Sequence, residues 1–263
     1  MTTLEAPLDT TALFDLRGRT ALVTGSSSGL GRRFAQVLDA AGARVALVAR
    51  RRDRLEELAE KLTDAVVVPA DLAAEGAARD VAAQVGEHFG GVIDILVNNA
   101  GITQAVPALD ESPEWVRRSL LLNVEVPFQL AQECARRALD AKRPMSVINI
   151  TSILGLSGSR SVPQASYCMS KGALSNLTKE LANQWARSGI RVNAIAPGWF
   201  PTEITAAEMF DKPEGAAFIR RNTPMGRAGQ QGELDGALLY LASAASSYMT
   251  GQTLTVDGGW SII

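Results

Sequence analysis

"TALVTGSSSGLG", residues 20–31, runs from a short apolar segment through a glycine- and serine-rich loop into an amphipathic segment. Its glycines follow the spacing G-x-x-x-G-x-G. Gly25 allows a sharp turn, and Gly29 and Gly31 remove β-carbons where another group must approach the backbone. The first amides of the following helix would then point at a phosphate group. This stretch therefore predicts a strand, a phosphate-binding loop and a helix, in that order.

The same alternation of apolar runs and helical patterns continues along the chain. Strands are expected at residues 20–25, 44–49, 65–71, 93–101, 146–152, 191–198 and 253–259. Their nearly continuous hydrophobicity indicates burial on both faces, as in a parallel sheet covered by helices. The sequence therefore predicts an α/β protein with a doubly wound Rossmann fold, that is, a seven-stranded parallel sheet with helices on both faces. Ligands of such sheets bind beyond the carboxyl ends of the strands.

Size and composition favour one domain over residues 1–263, with residues 1–14 as an N-terminal extension. The chain is 46% hydrophobic and 21% charged, with a formal net charge of -2. This balance gives no reason to expect a nucleic-acid partner or an anionic membrane surface. Residues 1–11 lack a basic segment followed by an apolar one, and no apolar run approaches the ~18 residues of a membrane span. We therefore expect a cytoplasmic protein with no membrane association.

Cysteine and histidine are too scarce for several kinds of site. Cys134 and Cys168 are the only cysteines, and they do not form a metal-binding or redox motif. The single histidine, His88, excludes sites built on several histidines, and its position at the end of a helical pattern is typical of a surface residue. No metal is expected.

The end of the second predicted strand bears on which dinucleotide the loop would bind. Enzymes that prefer a free ribose 2′-hydroxyl place a carboxylate at this point. Here the strand ends in "VALVARRR", and no acidic residue occurs before Asp53. The Arg50 guanidinium could bind a 2′-phosphate in bidentate fashion, whereas Arg51 and Arg52 fit solvated charges at a helix start. We therefore expect NADP(H) in preference to NAD(H).

"SYCMSKG", residues 166–172, places Tyr167 and Lys171 on the same face of a helix, one turn apart. A phenol has a pKa of ~10, so lowering it to ~7 requires about 4 kcal/mol of differential stabilisation. A nearby ammonium group and the cationic ring of an oxidised nicotinamide could provide it. The tyrosine could then exchange a proton with a substrate oxygen at neutral pH.

Five segments in this order, "TGSSSGLG", "NNAG", "YCMSK", "APGWFPT" and "TGQTLTVDGG", carry a family resemblance. The sequence resembles short-chain dehydrogenases/reductases of about 250 residues, from about Asp15 onward. The resemblance implies that Tyr167 is the general acid/base and that Lys171 activates it and holds the nicotinamide ribose. It also implies that Ser152 binds the substrate oxygen, with Thr151 as the weaker candidate. Asn123 would kink its helix and anchor a water near the lysine.

The expected cofactor contacts lie at the ends of the predicted strands. They are Gly25, Ser27, Gly29, Leu30, Gly31, Arg50, Asp71, Leu72, Asn98, Ala100, Gly101, Tyr167, Lys171, Pro197, Gly198, Phe200 and Thr202. By resemblance, Phe200 and Thr202 contact the nicotinamide carboxamide. Asp71 could accept a hydrogen bond from the adenine amino group or cap the following helix. The small residues of "NNAG" allow close approach to the backbone, and its side-chain amides could tie neighbouring strands together.

A segment of about residues 199–226 is expected to form a substrate lid, because apolar side chains are scattered through a stretch interrupted by proline and glycine. Its large apolar residues, which ordinary core packing could equally explain, are Trp199, Met209, Phe210, Phe218 and Met225. The interval between Ser152 and Tyr167 is longer than the family's usual interval and would form a longer substrate loop. The tail "WSII" could contact a neighbouring subunit or fold onto its own.

The sequence therefore predicts an NADP(H)-dependent oxidoreductase that interconverts a ketone and a secondary alcohol. A 3-oxoacyl thioester reductase and a sugar or polyol dehydrogenase remain as alternatives. The candidates for a carrier-protein contact are Arg160, Arg220, Arg221 and Arg227, although solvated surface charges explain them equally well. A dinucleotide-binding regulator without catalysis is the alternative from another class. By resemblance, a homotetramer or homodimer is expected.

Overall fold

The computed structural model describes residues 9–159 and 162–262 of the chain. Within these ranges, seven strands form one parallel sheet in the order β3-β2-β1-β4-β5-β6-β7. The strands are β1 (Thr20–Thr24), β2 (Arg44–Ala49), β3 (Ala65–Pro69), β4 (Ile95–Asn98), β5 (Met145–Ile150), β6 (Ile190–Pro197) and β7 (Thr253–Val256). The strand order reverses between β1 and β4, so the loops that follow these two strands diverge and leave a crevice between them.

Helices connect the strands and cover both faces of the sheet. They are α1 (Gly29–Ala40), α2 (Arg52–Ala59), α3 (Ala77–His88), α4 (Pro113–Leu120), α5 (Val126–Asp140), α6 (Ala165–Trp185), α7 (Glu203–Thr205), α8 (Pro213–Asn222) and α9 (Asp235–Ala242). Two π-helical turns occur, at Leu121–Glu125 between α4 and α5 and at Ala206–Phe210 after α7. His88 is the exposed last residue of α3, as its sequence position indicated.

Alternating residues of the central strands divide the core into two layers. On β1, Leu22 faces the layer formed with α3 and α5, whereas Ala21 and Val23 face the layer formed with α1, α2 and α9. All five residues of β1 are buried. Successive side chains of a strand point to opposite faces, so a strand buried on both faces is largely apolar, as Ala21, Leu22 and Val23 are. The predicted doubly wound sheet is therefore confirmed.

Six of the seven strands end earlier than the apolar runs suggested, whereas β2 ends at Ala49 as predicted. β1 stops at Thr24 because Gly25 takes up a left-handed backbone conformation, with φ of +69°. β4 stops at Asn98, whereas the sequence predicted a strand through residue 101. The loops that begin at these earlier points place the motif residues at the edge of the sheet.

One large apolar residue near each end of the described chain packs into a hydrophobic cluster. Leu16 and Trp260 are each 1% exposed, so each is buried in the core. Ala12–Phe14 forms a short 3-10 helix, while residues 1–8 of the predicted N-terminal extension lie outside the described ranges. No helix in the described ranges is both long enough and apolar enough to span a lipid bilayer. The single-domain organisation stays a prediction.

Candidate active site

A groove of about 640 Å³ runs across the carboxyl ends of β1 to β6. It begins at the glycine-rich loop after β1, passes the ends of β2 and β3, and reaches the loops after β4, β5 and β6. All of the predicted cofactor contacts except Gly31 and Asn98 line it. The topology thus brings together residues that are widely separated in the sequence, because the carboxyl ends of parallel strands share one edge.

The glycine-rich loop can pass close to the loop after β4 only because its glycines have no β-carbon. A β-carbon on Gly25 would lie 2.8 Å from the Asn99 side-chain nitrogen. One on Gly31 would overlap with that same nitrogen and with the Gly25 carbonyl oxygen. Gly31 therefore permits the packing of the loop rather than lining the groove. The Ser28 side chain does not cap α1, so it leaves the first amides of the helix available to an anion.

The two asparagines of "NNAG" have different surroundings. The expected cofactor contact Asn98 does not line the groove; it is buried, and its Nδ2 donates to Asn149 Oδ1 at 2.9 Å and to the Pro127 carbonyl at 3.2 Å. It therefore ties β4 to β5, which the sequence had left open as its other role. Asn99 faces the groove instead and donates to the Thr24 carbonyl at 2.9 Å.

The arginines after β2 differ from the expectation in one respect. Arg50 lines the groove, as predicted, and Arg52 pairs with Glu56 on the surface. Arg51, expected to be a solvated charge, instead turns into the groove and donates to Ser27 Oγ at 3.0 Å and Ser28 Oγ at 2.8 Å. The β2–α2 turn thus presents two guanidinium groups to the groove rather than one.

Asp71 lines the groove next to Leu72 but does not cap a helix. Its Oδ1 accepts a hydrogen bond from the Ala73 amide, which closes a local turn, while α3 begins only after Gly76. The helix-capping alternative for Asp71 is therefore wrong, because several turn residues intervene before the helix. Contact with an adenine remains the open prediction for this residue.

Tyr167 and Lys171 occupy the first two turns of α6, beside the groove. The Lys171 Nζ lies 5.6 Å from the centroid of the Tyr167 ring and donates to the Ile150 carbonyl at 2.8 Å. Lys171 is buried, with 4% of its surface exposed. Ser152 is the second residue after the end of β5, and its Oγ accepts a hydrogen bond from the Leu154 amide at 3.1 Å. Serine, tyrosine and lysine therefore converge on one point.

The protonation equilibria of this cluster are governed by burial. Burial raises the pKa of Tyr167 to about 12, while a hydrogen bond with Ser152 acts in the opposite direction. Burial lowers the pKa of Lys171 to about 8. Both shifts favour the neutral form, because charge is costly in a low-dielectric environment. The groups of the protein itself therefore raise the tyrosine pKa instead of lowering it as expected, because desolvation of the phenol is the largest effect.

Asn123 lies in the π-helical turn between α4 and α5, so the helix is irregular at the place where a kink was predicted. Its Oδ1 accepts from the Ile102 amide at 2.9 Å, and its Nδ2 donates to the Ile102 carbonyl and to Ser170 Oγ, both at 2.9 Å. Ser170 in turn donates to the Tyr167 carbonyl at 2.8 Å. The amide thus joins the loop after β4 to the helix that carries the tyrosine.

A second cavity of about 330 Å³ adjoins the groove. Its polar lining side chains are Thr103, Gln104, Ser152, Gln164, Tyr167 and Thr205, and its apolar ones are Ala105, Ile153, Leu154, Val162, Trp199 and Met209. None of these described side chains carries a formal charge. Ser152 and Tyr167 line both the cavity and the groove. The candidate acid/base group therefore stands where the two spaces meet.

The predicted lid contributes both to this cavity and to ordinary packing. Trp199 and Met209 are buried and line the cavity, and they belong to a cluster with Ile153, Ile219 and Trp260. Phe210 and Phe218 pack against that cluster. Met225, in contrast, is 62% exposed. The tail residue Trp260 packs edge-on against Trp199, with ring centroids 6.4 Å apart, and so folds onto its own subunit.

Several residues of the site carried no signal in the sequence. Gln164 precedes α6, lines the second cavity and accepts a hydrogen bond from Thr103 at 2.8 Å. Gly155 contacts the backbone of Lys171, which its type alone did not indicate.

Of the arginines considered for carrier binding, Arg227 pairs with Glu233 at 2.7 Å, and Arg160 lies outside the described residues.

Comparison with known proteins agrees with this geometry. Residues 25–261 match the family model described as "Enoyl-(Acyl carrier protein) reductase". The chain is 38% identical to galactitol 2-dehydrogenase (L-tagatose-forming) of Cereibacter sphaeroides, over 97% of this chain and all of the relative. It is 39% identical to the rhamnolipids biosynthesis 3-oxoacyl-[acyl-carrier-protein] reductase of Pseudomonas aeruginosa, over 94% of this chain and 98% of the relative.

A solved structure of a gluconate 5-dehydrogenase from Burkholderia cenocepacia, in complex with NADP and tartrate, superimposes with a TM-score of 0.89. It is 36% identical, and the match covers 97% of this chain and all of that one. The chain therefore belongs to the short-chain dehydrogenase/reductase family, as its motifs indicated. It is an oxidoreductase of that family.

Proposed function

We propose that this protein is an NADP(H)-dependent oxidoreductase that interconverts a ketone and a secondary alcohol, with Tyr167 as the general acid/base. The observation that carries the proposal is the position of Tyr167 and Ser152, which line both the long groove and the adjoining cavity. A proton donor at that junction can reach a substrate oxygen held in the cavity while a dinucleotide lies in the groove.

The residues of the groove fit a dinucleotide. The loop at Gly25 and the uncapped start of α1 would hold the pyrophosphate, and Arg50 and Arg51 would hold a 2′-phosphate. Phe200 and Thr202 line the opposite end, where family resemblance places the nicotinamide carboxamide. When bound, the nicotinamide accepts or supplies a hydride. The related gluconate 5-dehydrogenase was crystallised with NADP, which supports the choice of this coenzyme.

The tyrosine and its neighbours would move the proton. In the reducing direction, the Tyr167 hydroxyl protonates the substrate oxygen and Ser152 donates a hydrogen bond to it, which stabilises the developing negative charge. Because burial raises the phenol pKa to about 12, the tyrosine is fully protonated at neutral pH and competent as an acid. For oxidation, its pKa must fall, and the charges of Lys171 and of an oxidised nicotinamide act in that direction.

The cavity limits the substrate class. Its described lining contains amides, hydroxyls and apolar side chains without a formal charge, which suits a neutral carbonyl compound or alcohol. A polyol or sugar substrate is the first specific candidate, because a galactitol dehydrogenase is among the relatives. A 3-oxoacyl thioester is the second, because a 3-oxoacyl reductase of similar identity is also among them. A panel of polyols, sugars and 3-oxoacyl thioesters, followed by coenzyme absorbance, distinguishes the two.

The decisive experiment separates catalysis from coenzyme binding. Tyr167→Phe is expected to reduce NADPH oxidation at least a hundredfold, since general acid catalysis contributes on the order of 10²–10⁴. Coenzyme affinity, measured by the fluorescence of bound NADPH, should change little. Tyr248→Phe is the matched control, because Tyr248 is fully exposed. Undiminished turnover in the Tyr167 variant would reject the proposed role of Tyr167. Wild type that binds NADPH but turns over no carbonyl or alcohol would instead favour a non-catalytic dinucleotide-binding protein.

We also propose that the protein is a cytoplasmic homotetramer or homodimer. Cys134 and Cys168 are both free thiols, which suits a reducing compartment. β7 lies at one edge of the sheet, and a second subunit could cover such an edge. Light scattering coupled to size-exclusion chromatography would give the number of subunits.

A further inference from the structure

Glu203, the first residue of α7, reaches back across the mouth of the groove to the β2–α2 turn. Its Oε2 accepts a hydrogen bond from Arg51 Nη2 at 3.0 Å, and its other oxygen pairs with Arg54. Glu203 and Arg51 both line the groove. A carboxylate from the segment after β6 is thus held beside the guanidinium groups that follow β2.

Glu203 thus lies at the end of β2, where the local sequence has no acidic residue. The strand end "VALVARRR" has no carboxylate for a ribose 2′-hydroxyl, and that absence was the reason for expecting NADP(H). The fold brings a carboxylate there from 152 residues further along the chain. The sequence at the end of β2 alone therefore predicts too positive a charge for this part of the groove.

The hydrogen bonds of Arg51 show what a phosphate would have to displace. Arg51 Nη2 carries two hydrogens and lies within hydrogen-bond distance of Ser27 Oγ, Ser28 Oγ and Glu203 Oε2. A phosphate monoester carries about -1.5 to -2 charges at pH 7 and would compete with the carboxylate for this donor. Arg51, and then Arg54, hold the pKa of Glu203 at about 2, so the competing group is ionised at neutral pH.

We propose that Glu203 is a coenzyme-specificity residue that weakens the preference for NADP(H) over NAD(H). The inference rests on the proposed function, because it concerns the dinucleotide of that same groove. Glu203 opposes a 2′-phosphate by occupying Arg51 and by like-charge repulsion, whereas it can accept a hydrogen bond from a free 2′-hydroxyl. Its removal therefore widens the preference for the phosphorylated coenzyme.

The test is equilibrium binding to the full-length protein, with no turnover required. The dissociation constants of NADPH and NADH are measured by nicotinamide fluorescence for wild type, Glu203→Gln and Glu203→Ala. Adenosine 2′,5′-bisphosphate and adenosine 5′-monophosphate are then used as competitors to isolate the effect of the 2′-phosphate. Glu214→Gln is the matched control, because it removes one exposed carboxylate of α8 that does not line the groove.

The expected result is at least a threefold increase in the ratio of the NADH to the NADPH dissociation constant in both Glu203 variants. The ratio should not change in Glu214→Gln. In an Arg51→Met background, the effect of Glu203→Gln should be smaller, because the part that acts through the guanidinium is gone and only the like-charge repulsion remains. An unchanged or smaller ratio in both Glu203 variants would overturn the inference while leaving the proposed function intact. If wild type binds neither nucleotide, the proposed function fails as well.

Discussion

Replacing Gly31 by alanine has two opposing effects on the free energy of unfolding. Gly31 lies in the first turn of α1, where alanine has the higher helix propensity by about 1 kcal/mol. Against this, the new β-carbon would overlap with the Gly25 carbonyl oxygen and lie 2.8 Å from the Gly25 carbonyl carbon. Overpacking of this kind costs about 1–3 kcal/mol, because backbone atoms must move.

The overlap also disturbs a hydrogen bond. The new β-carbon would overlap with the Asn99 Nδ2, which donates to the Thr24 carbonyl at 2.9 Å. Loss of that bond adds about 1 kcal/mol. The destabilising effects therefore exceed the gain in helix propensity, and the free energy of unfolding should fall by about 1–3 kcal/mol. NADPH affinity should fall too, because the loop that would hold the pyrophosphate is displaced.

Urea denaturation followed by circular dichroism measures the first effect, and fluorescence titration with NADPH measures the second. Gly236→Ala provides a control of opposite sign. Gly236 is exposed in α9, and no atom would lie within 4 Å of its β-carbon, so alanine there should stabilise by about 0.5–1 kcal/mol. If Gly31→Ala were as stable as wild type and bound NADPH equally well, the loop packing described above would be refuted.

Two further predictions concern the helix that carries Tyr167. A β-carbon on Gly155 would lie 2.6 Å from the Lys171 carbonyl carbon, so Gly155→Ala should lower kcat/KM for NADPH-dependent reduction at least tenfold. Gly158→Ala, in the same loop, meets no atom of the described residues within 4 Å and should leave kcat/KM unchanged. Equal effects of the two variants would contradict the packing of Gly155 against Lys171. For Lys171, burial lowers the pKa from 10.5 to about 8, so the unfolded chain binds more protons between these values and stability rises with pH. Urea titrations should show wild type gaining about 2 kcal/mol over Lys171→Met between pH 7 and pH 10, and a pH-independent difference would contradict the buried state of the lysine.

Local patterns were enough to predict the fold and most of the groove. The apolar runs and the glycine-rich loop located the strand ends, and parallel strands then bring those ends together whatever their order in the chain. The helix period was enough to place Tyr167 beside Lys171. These predictions needed only distances along a single element, which the backbone geometry fixes.

The errors arose where a single residue step or a long-range contact decides the outcome. Asn98 and Asn99 exchange roles because β4 ends at residue 98, and side chains alternate between faces up to that point. The direction of Arg51 depends on Ser27 and Glu203, one of which is far away in the chain. The tyrosine pKa depends on the degree of burial, which no sequence pattern reports.

The hydrogen bonds of Asn123 have a consequence for recombination between relatives. One side-chain amide joins the loop at Ile102 to Ser170 on α6, across 21 and 47 residues of chain. A chimera whose crossover falls between these two points would combine partners from different parents, and each parent would have to supply a matching contact. Exchange of the segment before Ile102 leaves Ile102, Asn123 and Ser170 in the same parent. Such an exchange transplants the β2–α2 turn without dividing the Asn123 contacts, but it separates Arg51 from its partner Glu203, which stays with the other parent.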